Sequence, residues 1–129
     1  MSPALVLILA GVGFISFGSA YALLPARMAA LTELPLPSPT ARTDFIATYG
    51  GFQIGFGVFL LACVRRASWQ EPGLWAAVAA LAGFASLRLL AILVHRGRVR
   101  SSIWFGLVLE LLGLALSAWG LARLDGART

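Results

Sequence analysis

Lysine is absent from this chain of 129 residues, and cysteine and histidine occur once each. One cysteine, Cys63, excludes an intrachain disulfide. One histidine and one cysteine cannot assemble a typical zinc centre, so no metal is expected. The serines have no His–Asp partner, because His95 stands alone among arginines in a loop. No glycine-rich phosphate loop precedes a helix, and no cofactor is expected. Charge of both signs is scarce, at 12% of residues. The net charge of +5 comes entirely from arginine. No basic stripe with interleaved aromatics accompanies it, which excludes nucleic acid as a partner. Arginines that flank apolar runs meet lipid headgroups instead.

What is abundant is long apolar sequence. Sixty per cent of residues are hydrophobic, and the mean hydropathy is +0.89. A soluble core of this size has no need of such runs. Four segments approach the roughly 20-residue bilayer span: 4–24, 45–64, 74–94 and 103–121. The expectation is an all-α protein, an integral membrane four-helix bundle with antiparallel neighbours, forming a single membrane domain over 1–129. The opening MSPALVLILAG has no Lys or Arg before its apolar run. That run also exceeds the roughly 7–15 residues of a signal-peptide core, so the segment reads as a retained helix.

The first connection, 25–43, carries Pro35, Pro37 and Pro39 in LTELPLPSPTAR. It is expected to run extended along the membrane surface. The second is RRASWQEP, with Pro72 placed to open the third helix. The third is His95–Ser101. Arginine counts set orientation. Arg27, Arg42, Arg96, Arg98 and Arg100 stand on the face of the first and third connections, and Arg65, Arg66, Arg123 and Arg128 on the other. The balance leans the segments 25–43 and 95–101 toward the cytoplasm. Tyr21, Phe45, Tyr49 and Trp104 on one face, and Trp69, Trp75 and Trp119 on the other, suit the headgroup boundary.

Small residues mark packing faces. On the fourth helix Gly106, Glu110, Gly113, Ser117 and Gly120 share one face, which turns Glu110 into the bundle. On the second, Thr48, Gly51, Gly55 and Ala62 form a similar set, with Gly51 and Gly55 matching the small-xxx-small motif. Gly11 and Gly18 serve the first.

Arg88 and Glu110 lie well inside the third and fourth apolar runs, where a central charge costs roughly 2.5–3.5 kcal/mol. The hairpin around His95–Ser101 places them at one depth, where an acid and a base lower each other's burial cost. Counting 1.5 Å per residue, Ser16, Gln53, Arg88 and Glu110 form a layer roughly 10–14 Å below one face. Tyr49 stands one turn above Gln53, and Asp44 and His95 lie near the rim. The layer reads in two ways. It is either a clasp in which Arg88 donates to Glu110 and Gln53, or a pocket with Gln53, Tyr49, Ser16 and Asp44 as ligand-binding residues and Glu110 and Arg88 as its chemical centre.

The block TDFIATYGGFQIGFGVFLL (43–61) resembles the family catalogued as domain of unknown function 4345, small bacterial four-helix membrane proteins broadly similar to the DoxX-like group. Asp44, Phe45, Tyr49, Gly50, Gly51, Gly55 and Gly57 carry the resemblance, and Arg88 and Glu110 fit its pattern. It implies the bundle and a bacterial inner-membrane location, and it brings no activity.

Three functions follow as expectations. The first is a binding or accessory subunit that holds a lipophilic small molecule, or steadies a homodimer or larger membrane complex. The second is a membrane enzyme acting on a lipophilic substrate, with Glu110 as general acid or base and Arg88 tuning it. The third is a small dimeric transporter. Against the transporter, the first helix carries no acid, and a proton-coupled Glu should not be locked to Arg.

Overall fold

The computed structural model describes residues 1–126; Arg128, counted above for the terminal face, lies outside the described residues. Among them the chain forms five helices: α1 (Pro3–Leu23), α2 (Pro25–Leu31), α3 (Pro39–Val64), α4 (Ala67–Val94) and α5 (Ser101–Gly126). Four of them, α1, α3, α4 and α5, are long and apolar enough to cross a bilayer. Their outer surfaces confirm the solvent they are built for. Leu87 is 70% exposed, Leu93 65% and Phe105 61%, and a surface so apolar is at home in lipid rather than water. The protein is therefore an all-α integral membrane bundle.

Ser2 opens α1 by accepting a hydrogen bond from the Leu5 N–H, with Pro3 in the first turn. Such caps satisfy amides that the helix itself leaves unpaired. Pro25 does not simply end α1. It starts α2, where its missing N–H costs nothing. The first connection is accordingly not extended throughout. Only a short stretch after α2 lacks helix, and Ser38 then caps α3 at the Ala41 N–H with Pro39 in its first turn. The second spanning helix thus begins at Pro39, ahead of the residue 45 expected from hydropathy, because capping chemistry and not apolarity decides where a helix starts.

Pro72 is a second correction. It lies inside α4, which begins at Ala67 after a connection of only Arg65 and Arg66. A proline so near a helix start disturbs only the first turns. Next to it, Gly73 packs on Cys63, close enough that a Cβ there would stand 2.8 Å from that of Cys63. The absence of a side chain lets α4 close on α3 just beyond their turn.

The principal pairings are α1 with α3 and α4 with α5. In the first, Gly11 meets Gly57 and Gly18 meets Gly50. A Cβ on Gly57 would fall 2.6 Å from the Gly11 carbonyl oxygen, and one on Gly18 would fall 2.8 Å from that of Gly50. The two glycines on each helix are two turns apart, so both contacts repeat in one antiparallel register. Gly51 and Gly55, the expected small-xxx-small pair, have open space where a Cβ would point. Motif spacing alone does not tell which of several glycine faces turns inward. In the second pairing, Gly106, Gly113 and Gly120 of α5 meet Arg88, Leu81 and Leu74 of α4, as the stripe on the fourth helix predicts.

The larger core cluster, Val6, Leu7, Leu60, Cys63, Leu74, Ala77 and Leu121, lies toward the chain termini. A smaller one, Ala85, Ile92 and Leu107, lies between α4 and α5 toward the other face. On that face the first and third connections are joined. Arg100 donates to the Ala30 carbonyl and to Glu33, both at 3.2–3.3 Å, and Ser102 donates to the Leu31 carbonyl. On the terminal face the Arg66 and Arg123 guanidinium groups sit over the Trp69 and Trp119 rings, an arrangement suited to the headgroup boundary.

Candidate functional site

The site begins with a backbone irregularity. Residues Ile46–Gly51 of α3 form a π-helical stretch, in which Phe52 N–H bonds to the Ala47 carbonyl. One residue is added to a turn, which widens it; such insertions recur at functional sites. Phe45 and Gly50, one π turn apart, are both buried. Tyr21 of α1 packs against Phe45 and stacks on Tyr49, with ring centres 5.5 and 5.6 Å apart, and Phe45 and Tyr49 close the triangle at 4.9 Å. The π stretch packs on α1 rather than on α4.

Because α3 and α4 meet near their two-residue turn and separate beyond it, a groove opens between them. Thr48, Tyr49, Phe52, Gln53 and Phe84 line it, and its volume is about 420 Å³. Its walls are mostly aromatic, with one hydroxyl from Thr48 and one amide from Gln53 as further polar groups. Phe84 stands one turn before Arg88 on α4, so both project from one side of that helix.

Arg88 crosses to α5. Its Nε donates to both carboxylate oxygens of Glu110, at 3.0 and 2.9 Å, and its Nη2 donates to Oε1 at 2.6 Å. The Glu110 side chain is 13% exposed and that of Arg88 29%. A side-on fork of this kind is the strongest geometry open to the two groups. The guanidinium lies along Gly106, where a Cβ would come within 3.5 Å of Cζ, so the missing side chain leaves room for it. Tyr21 is near enough to interact electrostatically with both members of the pair.

The sequence-derived residues therefore separate. Arg88 and Glu110 are bonded to each other, and Gln53 and Tyr49 line the groove, which the pair does not. Arg88 does not donate to Gln53; among the described residues its acceptors are the Glu110 oxygens alone. Ser16 is exposed on α1. It precedes Gly18, which faces α3, by two residues, and that turns it roughly 200° away from the bundle interior. Asp44 and His95 are exposed at the rim. The aromatic that α1 turns inward is instead Tyr21, above that layer and one turn beyond Gly18 on the same face. Its signal was present in the sequence: the spacing of Gly11 and Gly18 defines the face that Tyr21 continues.

The profile of the family described as a domain of unknown function, DUF4345, matches residues 4–121, which cover nearly the whole chain, and the chain belongs to that family. No curated protein and no solved structure matches it.

Proposed function

We propose that this DUF4345 protein is a membrane binding or accessory subunit whose groove between α3 and α4 holds a lipophilic small molecule. The observation that carries the reading is an aromatic groove whose Phe84 stands one turn from Arg88 on the same side of α4, with Arg88 paired to Glu110 inside an apolar bundle. Intramembrane ionisable groups are expensive and mark functional sites more often than not. A groove of several hundred Å³ with few polar groups is the usual form of a small-molecule site.

The pair's geometry favours anchoring over proton handling. Both Glu110 oxygens accept from Arg88, and a carboxylate so occupied has little capacity left as general base or as the carrier of a transported proton. The enzyme and transporter readings each need a Glu110 that is released from Arg88 during the cycle, and both rank below binding for that reason. Placement in the bacterial inner membrane, with 25–43 and 95–101 on the cytoplasmic side, belongs to the same proposal. Membrane-impermeant labelling of a cysteine introduced at Arg98 tests the orientation.

Native mass spectrometry of the protein in mild detergent tests the function. A stoichiometric small-molecule adduct on the wild type that is weakened in Phe84→Trp, where the larger ring narrows the groove, is the expected result. A wild-type chain that carries only bulk phospholipid, unchanged by Phe84→Trp, overturns the reading.

A further inference from the structure

Three features determine what the groove takes. The first is an unused edge of the Arg88 guanidinium. Nε and one proton of Nη2 are spent on Glu110, while Nη1 lies beside Gly106 and has no acceptor among the described residues. A guanidinium presents five N–H donors in a fixed fork. The pair with Glu110 leaves the outer edge, Nη1 with the second Nη2 proton, open. In a bilayer interior an unsatisfied donor is costly, and the side chain's 29% exposure gives an incoming group access to it.

The second feature is charge. Arg88 and Glu110 together are neutral. An anion added at the open edge would leave the apolar layer with an uncompensated negative charge. A neutral oxygen acceptor satisfies the donor and leaves the layer neutral.

The third is the polarity along the groove. α3 runs away from the face of the first and third connections, and α4 runs toward it. Tyr49 and Arg88 therefore stand at the end nearer that face, each one turn above Gln53 and Phe84 on its own helix. Phe52, Gln53 and Phe84 line the deeper part. Tyr49 stacks on Tyr21 of α1. The groove is thus polar at its outer end and largely aromatic below.

We infer that the groove binds a neutral amphiphile, whose carbonyl or ester oxygen accepts from the open edge of Arg88 and whose hydrocarbon chain lies against Phe52 and Phe84. This rests on the binding function proposed above and narrows its ligand to one chemical class.

Three probes with the same kind of chain and different heads separate the alternatives: methyl oleate, oleate and 1-octadecene, titrated onto the full-length protein in mild detergent and read by native mass spectrometry. The wild type is expected to prefer methyl oleate over 1-octadecene by about tenfold or more, the range of a hydrogen bond to a charged donor, and over oleate as well. The double variant Arg88→Met/Glu110→Met removes the donor and its counter-charge together. It is expected to keep the bundle and to bind methyl oleate and 1-octadecene alike. Phe84→Trp, which narrows the groove with the pair untouched, should weaken all three adducts.

Oleate binding as tightly as the ester overturns the neutral-ligand inference while leaving a lipophilic-ligand function intact. So does an ester preference that survives in the double variant. Failure of every probe on a wild type that also carries no native adduct overturns both, as does a dimer whose second copy occupies the groove and excludes the chains.

Discussion

Separating Arg88 from Glu110 should cost far more than removing both. Three N–H···O contacts at 2.6–3.0 Å join them, and the carboxylate is 13% exposed. Breaking a buried pair from one side typically costs about 3–5 kcal/mol, because the surviving charge stays behind without a partner. Arg88 has a way out, since its side chain is 29% exposed and a long guanidinium stem can reach toward the headgroups. Glu110→Met, which leaves Arg88 behind, should therefore lie at or below the low end, about 2–3 kcal/mol. Arg88→Met leaves a shorter and less exposed carboxylate, and should cost at least as much. The double variant Arg88→Met/Glu110→Met leaves no charge, fills similar volume, and should fall within about 1 kcal/mol of the wild type. The coupling between the two sites is then about 3 kcal/mol or more in the sense of a double-mutant cycle. Unfolding in mixed mild-detergent and dodecyl sulfate micelles, followed by the fluorescence of Trp69, Trp75, Trp104 and Trp119, measures all four proteins. Additive single effects, with the double variant as unstable as their sum, would refute the claim that the pair acts as one neutral unit.

Three further outcomes rest on separate parts of the structure. Gly57→Ala places a methyl 2.6 Å from the Gly11 carbonyl oxygen and should cost about 1–3 kcal/mol as overpacking, whereas Gly51→Ala and Gly55→Ala meet open space and should be neutral or stabilising by up to about 1 kcal/mol; thermal denaturation in detergent compares them, and equal losses at all three positions would contradict the packing described. Arg96 has φ +53° at the end of α4, where the Gly97 N–H returns to the Ile92 carbonyl. Arg96→Gly should relieve left-handed strain and stabilise by about 1 kcal/mol, read in the same melts, with a loss of stability counting against that geometry. The Ser117 hydroxyl is fully buried without a hydrogen-bond partner among the described residues; Ser117→Ala should raise the melting temperature, in line with the roughly 1–3 kcal/mol that an unsatisfied buried polar group costs, and a lowered one would mean that the hydroxyl bonds within the bundle.

Composition and local pattern were enough for the class, the spanning helices and the shared depth of Arg88 and Glu110. Apolar run length is a local property matched to bilayer thickness, and a hairpin with a short loop fixes relative depth by counting residues. The stripe on the fourth helix was legible for the same reason: its small residues form a single face, with no competing one. The second helix was not, because GGFQIGFG offers several glycine faces, and only packing against Gly11 and Gly18 selects Gly50 and Gly57. The short helix that Pro25 opens and the helix starts near Pro39 and Pro72 were not legible, because proline is compatible with a helix's first turns as well as with its termination.

The sequence by itself determined that this chain belongs in a bilayer and that one acid and one base share a depth within it, since both follow from the cost of exposing apolar surface to water and charge to lipid. Rotation about each helix axis was decided only by tertiary structure. It turned Ser16 outward and Tyr21 inward, left Gln53 lining a groove instead of bonded to the pair, and opened that groove where the π stretch of α3 parts from α4. Those angles depend on how four side-chain surfaces interlock at once, a property that no single segment contains.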